Sequence, residues 1–303
     1  MLSEKEIVKI LKCIIDTMEL RININNFEDM SKITKENYVY ITPLKEKINR
    51  HGAFKILKFN PNKVDGFEMV SSLKELKIIL NKALDEMGVI DKTKVIINRV
   101  DIAIDCDLDF KANNDFKFLR LIFELVSYEK IYISRWCSTN MDSHKRSNLF
   151  FKSRDIDIDF YDKKEQSKGK HLYKSRMEWR FKRVSTLNYE KHLDKLMVEL
   201  KLLETKIEDV EKKIAKEILE IWEEEKEEDH KLNFSVFVKR HKELFYTVNV
   251  LKMVYAKSGL KGNWKGWLNG FRNTNDFVKF NSKSDVIKFK KEMIKAIKTY
   301  KKS

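Results

Sequence analysis

Three segments of this chain alternate apolar and charged residues with a period of two. They are Arg99-Val-Asp-Ile-Ala-Ile-Asp105, Arg154-Asp-Ile-Asp-Ile-Asp-Phe-Tyr-Asp-Lys-Lys-Glu-Gln166 and Arg176-Met-Glu-Trp-Arg-Phe-Lys-Arg183. Successive strand side chains point to opposite faces, so this spacing predicts half-buried strands. Val100, Ile102 and Ile104 then share one face, and Asp101 and Asp105 the other. Ile156, Ile158 and Phe160 oppose Asp157, Asp159 and Tyr161, and Met177, Trp179 and Phe181 oppose Glu178 and Arg180. If the three strands share a sheet, one face carries carboxylates, a phenol and arginines. Taken alone, each strand also fits an ordinary solvated face with Asp–Arg pairs across it.

On a strand, residues four apart are separated by roughly 13 Å, so Asp101 and Asp105 cannot chelate one ion together. Asp101 can instead pair with Glu178 from a neighbouring strand, since cross-strand neighbours lie roughly 4.5–5.5 Å apart. Such oxygen ligands suit Mg²⁺ or Mn²⁺. Asp155, Asp157 and Asp159 are expected on one face, where clustered like charge calls for a cation. Tyr161 shares that face and precedes Lys163 and Lys164. A phenol can attack a phosphodiester when cations stabilise the developing charge.

Charged residues make up 36% of the 303 residues, and the net charge is +15. Such a balance points to a polyanionic partner, nucleic acid or an anionic surface. No run of about 18 apolar residues occurs, so no membrane span is expected. Cys13, Cys106 and Cys137 fall into no paired or metal-ligand spacing and read as thiols of a reducing cytoplasm. Six scattered histidines form no metal motif, although His144 and His171 flank the motif strands. Neither a phosphate loop nor a zinc-finger pattern occurs.

The remaining pattern predicts helices over 4–18, 72–87 and 113–127, and strands near 21–26, 38–42, 53–59 and 130–136. The motif strands are expected over 94–106, 149–162 and 173–184. Ser72 with Glu75 reads as a capping box, and Gly88 as a terminator. The expected class is α+β, with a mostly antiparallel central sheet and flanking helices over 1–187, in two similar halves (1–90 and 91–187). A helical region over 188–303 follows. In it, Leu193, Leu200, Ile207, Ile214 and Ile221 recur by seven, with Leu196, Leu203 and Val210 between them. That is a coiled-coil seam, paired either with a helix over 234–257 in a hairpin or with a second copy. A glycine-rich loop over 258–270 carries Lys261, Trp264, Lys265 and Trp267, suited to stacking on unpaired bases and meeting phosphates. Two core tryptophans at a helix turn would look the same. Lys145, Arg146, Lys152 and Arg154 form a second basic cluster near the acidic face. The last helix is expected over 284–300.

The motifs in order, Arg-Val-Asp-Ile-Ala-Ile-Asp, then Asp-Phe-Tyr-Asp-Lys-Lys-Glu-Gln, then Arg-Met-Glu-Trp-Arg, resemble the replication-initiation-factor family of rolling-circle plasmid initiators and related relaxases. The resemblance covers roughly residues 94–184. It implies an initiator-nuclease fold and a metal-dependent strand transferase that nicks an origin through tyrosine. Tyr161 matches the nucleophile of the Tyr-x-Lys-x-Glu segment, and Asp101 and Glu178 match the acidic positions expected to hold Mg²⁺ or Mn²⁺, with Asp159 beside them. Lys163, Lys164 and Arg180 would stabilise charge or position the backbone. Relatives with a His-hydrophobe-His metal motif are not matched, and this segment holds one tyrosine where many relatives carry two. The implied partners are origin DNA, with a single-stranded or hairpin nick site, and a host helicase and polymerase. A homodimer through 193–221 and a non-enzymatic DNA-binding control protein are the alternatives.

Overall fold

The computed structural model describes residues 11–33, 38, 40–49, 52–64, 70–128, 147–184, 190–260, 262–272 and 281–302. Its centre is a seven-stranded sheet of β1 (Lys12–Asn23), β2 (Ile41–Asn49), β3 (Gly52–Phe59), β4 (Ile96–Cys106), β5 (Asn148–Lys152), β6 (Ile156–Asp162) and β7 (Ser175–Lys182). The order is β2-β3-β1-β4-β7-β6-β5, and every neighbouring pair is antiparallel. The described helices are α1 (Leu73–Glu86), α2 (Asn113–Ser127), α3 (Lys163–Gln166), α4 (Glu190–Lys201), α5 (Leu203–Glu228), α6 (Phe234–Arg240), α7 (Val248–Lys257), α8 (Trp264–Arg272) and α9 (Lys283–Lys302). Among the described residues, no helix is long and apolar enough to cross a membrane.

The period-two pattern is realised as expected in β4, β6 and β7. Val100, Ile102, Ile104, Ile158, Phe160, Met177, Trp179 and Phe181 are all buried. Each such side chain contributes roughly 1.5–3 kcal/mol on leaving water. Helices close this apolar face. Phe123 of α2 meets Phe160 edge-on at 5.4 Å, and Phe118 meets Phe289 of α9 at 5.1 Å. His192 of α4 lies 5.1 Å from Phe181, and α9 packs on β1. At the start of α1, Ser72 Oγ accepts from Glu75 N–H, while the Glu75 carboxylate reaches back to Ser71 N–H, one residue before the expected box partner.

Several expectations are corrected. The helix expected over 4–18 is strand β1 from Lys12 onward; residues 4–10 lie outside the described set. The 3–4 apolar spacing there misleads because β1 is central and interrupted by bulges, so Cys13, Ile14, Ile15 and Met18 are all buried. The strand near 21–26 is the end of β1 followed by a 3-10 turn over Ile24–Asn26. The strand over 149–162 is two strands, with Asp155 exposed in the turn between them, so the expected trio of aspartates is a pair. The helix over 234–257 is two, α6 and α7, with Thr247 capping the second. The loop over 258–270 contains helix α8. The strand over 130–136 lies outside the described residues, as do His51, Cys137 and His144.

The seven-residue seam is used inside the chain. Leu193, Leu196, Leu200, Leu203, Ile207, Val210 and Ile214 are buried, and α5 packs against α2, α7 and α9. The helix breaks at Leu202, which is 41% exposed. A polar clamp fixes α7 to α5. The buried Glu211 carboxylate accepts from Thr247 Oγ1 at 2.6 Å and Asn249 Nδ2 at 2.5 Å. Removing it strands the buried Thr247 hydroxyl away from water, while the exposed Asn249 can turn to solvent. Glu211→Ala is expected to cost about 2 kcal/mol in urea unfolding. Glu208→Ala, which loses only the exposed ion pair to Lys212, should stay within about 0.5 kcal/mol.

Candidate active site

The strand register lays the second face of the sheet out in rows. One row runs Asn148, Tyr161, Arg176, Asp105, Lys12 across β5, β6, β7, β4 and β1. The next runs Phe150, Asp159, Glu178, Ala103, Ile14, and the third Lys152, Asp157, Arg180, Asp101, Thr17. The carboxylates and the phenol expected together are therefore brought together. They are also more buried than a solvated face allows: Asp101, Asp105, Asp157, Glu178 and Arg176 are all below a tenth exposed.

Interleaved cations hold these groups. Arg180 Nη2 donates to Asp159 Oδ2 and to Glu178 Oε2, each at 2.9 Å. Arg99 binds Asp101 through two bonds of 2.6 Å, committing both of its oxygens. Lys182 pairs with Asp157 at 2.6 Å. Arg176 binds Asp105 in a fork, at 2.6 and 2.9 Å, and Asp16 at 2.5 Å. Asp105 thus serves Arg176 and stands apart from Asp101.

The remaining electrostatics identify a strained centre. Burial, with repulsion from Glu178, pushes the Asp159 carboxyl up to about 6 against the pull of Arg180. Burial and Glu178 also push Asp101 up, against its bonds to Arg99. Burial, reinforced by Glu178, raises the Tyr161 phenol well above its ordinary value, so it is neutral at physiological pH. Its hydroxyl has no hydrogen-bond partner among the described residues. Lys163 Nζ sits 5.6 Å from the Tyr161 ring centroid, and its pKa is lowered by burial and by Arg176.

The donor set can be tested against a hard divalent cation. Asp159 Oδ1 is buried with no hydrogen-bond partner, which leaves one carboxylate oxygen uncommitted. Asp159 and Glu178 already converge on one cationic nitrogen. Among the described residues no three His, Cys, Asp or Glu side chains stand together in ligating geometry. Two carboxylates with waters or phosphate oxygens suit Mg²⁺ or Mn²⁺, which keep part of their hydration. Such an ion would meet the uncommitted Asp159 Oδ1 and would take the place of Arg180 at Asp159 Oδ2 and Glu178 Oε2, whereas both Asp101 oxygens are spent on Arg99.

The other expected residues are placed as follows. Lys164 lies off the acidic face. It lines a groove of about 470 Å³ with Asp109, Lys111, Asp162, Glu165, Lys168, Gly169 and Lys174. This groove adjoins the sheet end that carries Tyr161. Lys152 and Arg154 are exposed at the opposite end of β6, and Lys145, Arg146 and Lys261 lie outside the described residues. Trp264 and Trp267 are half-buried on α8, stacked at 5.6 Å, with Phe271 next at 5.1 Å and Tyr255 against both. Trp267 Nε1 donates to Ser235 Oγ. They build the helical core, while Lys265 is exposed beside them. Sequence reasoning did not single out Asp16 or Arg176. The arginine stood in a quoted motif; the aspartate lay in a segment expected to be helical.

No protein-family model matches this chain, and no curated protein does. Among solved structures, the rolling-circle replication initiator protein of Geobacillus stearothermophilus aligns with 57% of this chain and 74% of its own, at 16% identity and a TM-score of 0.29. Similarity at that level leaves function to be argued from the site itself.

The raised pKa of Asp159 sets a stability test. Its folded value, about 6, lies above the unfolded value, so the carboxyl adds no penalty below about pH 4, and stability falls as pH rises through 6. Asp159→Asn removes that charge without changing size. At pH 8 it is expected to stabilise the metal-free protein by about 1 to 2 kcal/mol, and at pH 4 by nothing, in thermal melts.

Proposed function

We propose that this chain is a rolling-circle replication initiator that nicks and rejoins one DNA strand through Tyr161. The observation that carries the reading is a tyrosine hydroxyl with no hydrogen-bond partner among the described residues, on the same sheet face as a buried, cation-laced carboxylate cluster, in a chain of net charge +15. Perturbed carboxylates held in such a cluster are the usual cost of a functional site. The ordered family-like motifs supply the reaction class.

Asp159 and Glu178 would hold Mg²⁺ or Mn²⁺, which when bound polarises the scissile phosphate. Arg180, bonded to both carboxylates, fixes their orientation in the free protein. Tyr161 attacks phosphorus and leaves a 5′-phosphotyrosyl end and a free 3′-hydroxyl for a polymerase. Lys163, the cation over the phenol ring, offsets the charge that builds on the phenolic oxygen. Single-stranded DNA leaving the phenol would run into the lysine-lined groove, where Lys168 and Lys174 make no ion pair among the described residues. Lys265 and the basic cluster at Lys152 and Arg154 would add contacts to duplex origin DNA.

The reading is tested by incubating the chain with Mn²⁺ and a 3′-labelled pool of random single-stranded oligonucleotides. A covalent adduct is expected with wild type and none with Tyr161→Phe; no adduct from wild type ends the enzyme reading and leaves a DNA-binding control protein. Mn²⁺ should also raise the melting temperature of wild type by mass action, and not that of Glu178→Gln. Lys168→Glu with Lys174→Glu should reduce the slope of log K against log salt for single-stranded DNA by about 0.7 per lost phosphate contact.

A further inference from the structure

β1 and β4 lose register between Ile15 and Thr17. Ile15 pairs with Ile102 and Thr17 with Asp101, so two steps on β1 match one on β4, and Asp16 is the extra residue. A bulge of this kind re-aims a side chain that regular pleating would place elsewhere. Here two successive residues, Asp16 and Thr17, both reach the polar face, and Thr17 Oγ1 donates to Asp16 at 3.2 Å. Asp16 extends past β4 to bind Arg176 on β7.

Arg176 is the cross-strand partner of Tyr161, and its side chain is 3% exposed. A guanidinium has five N–H donors. Two are taken by Asp105 and one by Asp16. The rest make no hydrogen bond among the described residues. Both Arg176 and Asp16 act on the Tyr161 phenol, the guanidinium favouring its anion and the carboxylate opposing it.

We propose that Arg176 is a catalytic residue that stabilises charge on the Tyr161 oxygen, and that Asp16 is the positioning residue that holds it there. The inference rests on the nicking reading above. In the step, the bond from the phenolic oxygen to phosphorus forms as the bond from phosphorus to the 3′-oxygen breaks. The proton lost by the phenol is balanced by the one gained at the 3′-hydroxyl, so negative charge sits on the phenolic oxygen only during transfer. A fixed, desolvated guanidinium beside that oxygen acts in both nicking and rejoining, where the tyrosine becomes the leaving group. Its two carboxylate partners keep it charged and correctly turned.

The experiment measures single-turnover adduct formation by the full chain with Mn²⁺ and the 3′-labelled random oligonucleotide pool. Asp16→Asn keeps an acceptor oxygen and is expected within about 3-fold of wild type, whereas Asp16→Ala frees the guanidinium and should lose about 10- to 100-fold. Asp16→Glu, which pushes the guanidinium out of place without removing the charge, should lose about 10-fold with an unchanged melting temperature. Arg176→Lys, which removes the fork, should lose about 100-fold. The Asp16→Glu and Arg176→Lys arms keep the test open if Asp16→Ala does not fold. Wild-type rates in folded Asp16→Ala and Asp16→Glu, or a loss in Asp16→Asn as large as in Asp16→Ala, would overturn the proposal and leave Asp16 a structural residue. Absence of any wild-type adduct would instead overturn the nicking reading, and this one with it.

Discussion

The register of β4, β7 and β6 is the constraint on which everything else depends. It sets Ile102 opposite Trp179 and Trp179 opposite Ile158 on one side, and Asp101, Arg180 and Asp157 in line on the other. A slip of one residue would turn every apolar side chain out and every carboxylate in. The large buried side chains on the apolar face make that slip prohibitively unfavourable. Hydrophobic packing therefore positions the acidic groups, which would repel one another if left to their own electrostatics.

Those groups reach an uneasy balance. Arg99, Arg176, Arg180 and Lys182 neutralise most of the buried negative charge by direct ion pairs. Buried pairs return little net stability because both members lose water. The residue of that bargain is Asp159, with one orphaned oxygen and a raised pKa. A cluster that only held the sheet together would be better served by apolar residues of the same size.

Much of this was legible in the chain itself. Alternation identified β4, β6 and β7 and the face shared by Asp159, Tyr161, Glu178 and Arg180; capping and amphipathic spacing identified α1, α2 and α9. What escaped has physical causes. β1 is buried on both faces, so Cys13, Ile14 and Ile15 are apolar in succession and the period-two signal of a half-buried strand is lost. With β1 misread, Asp16 had no face to belong to, and Arg176 had no visible partner. The seam of α4 and α5 carried the right spacing but not the identity of what covers it, because heptads do not say whether a partner helix comes from the same chain. Trp264 and Trp267 sit among glycines, whose low helix propensity is overridden by the stacking of the aromatic side of α8.

The contact between α9 and β1 has a kinetic consequence. β1 occupies the middle of the sheet, yet one of the helices that shields it is separated from it by most of the sequence. Closing so long a loop carries an entropic cost that must be met before the contact gives anything back. During synthesis, β1 would leave the ribosome long before that helix exists, with an apolar strand surface waiting for its cover. The interval is a window in which a chaperone, or the wrong strand, can reach the centre of the molecule first.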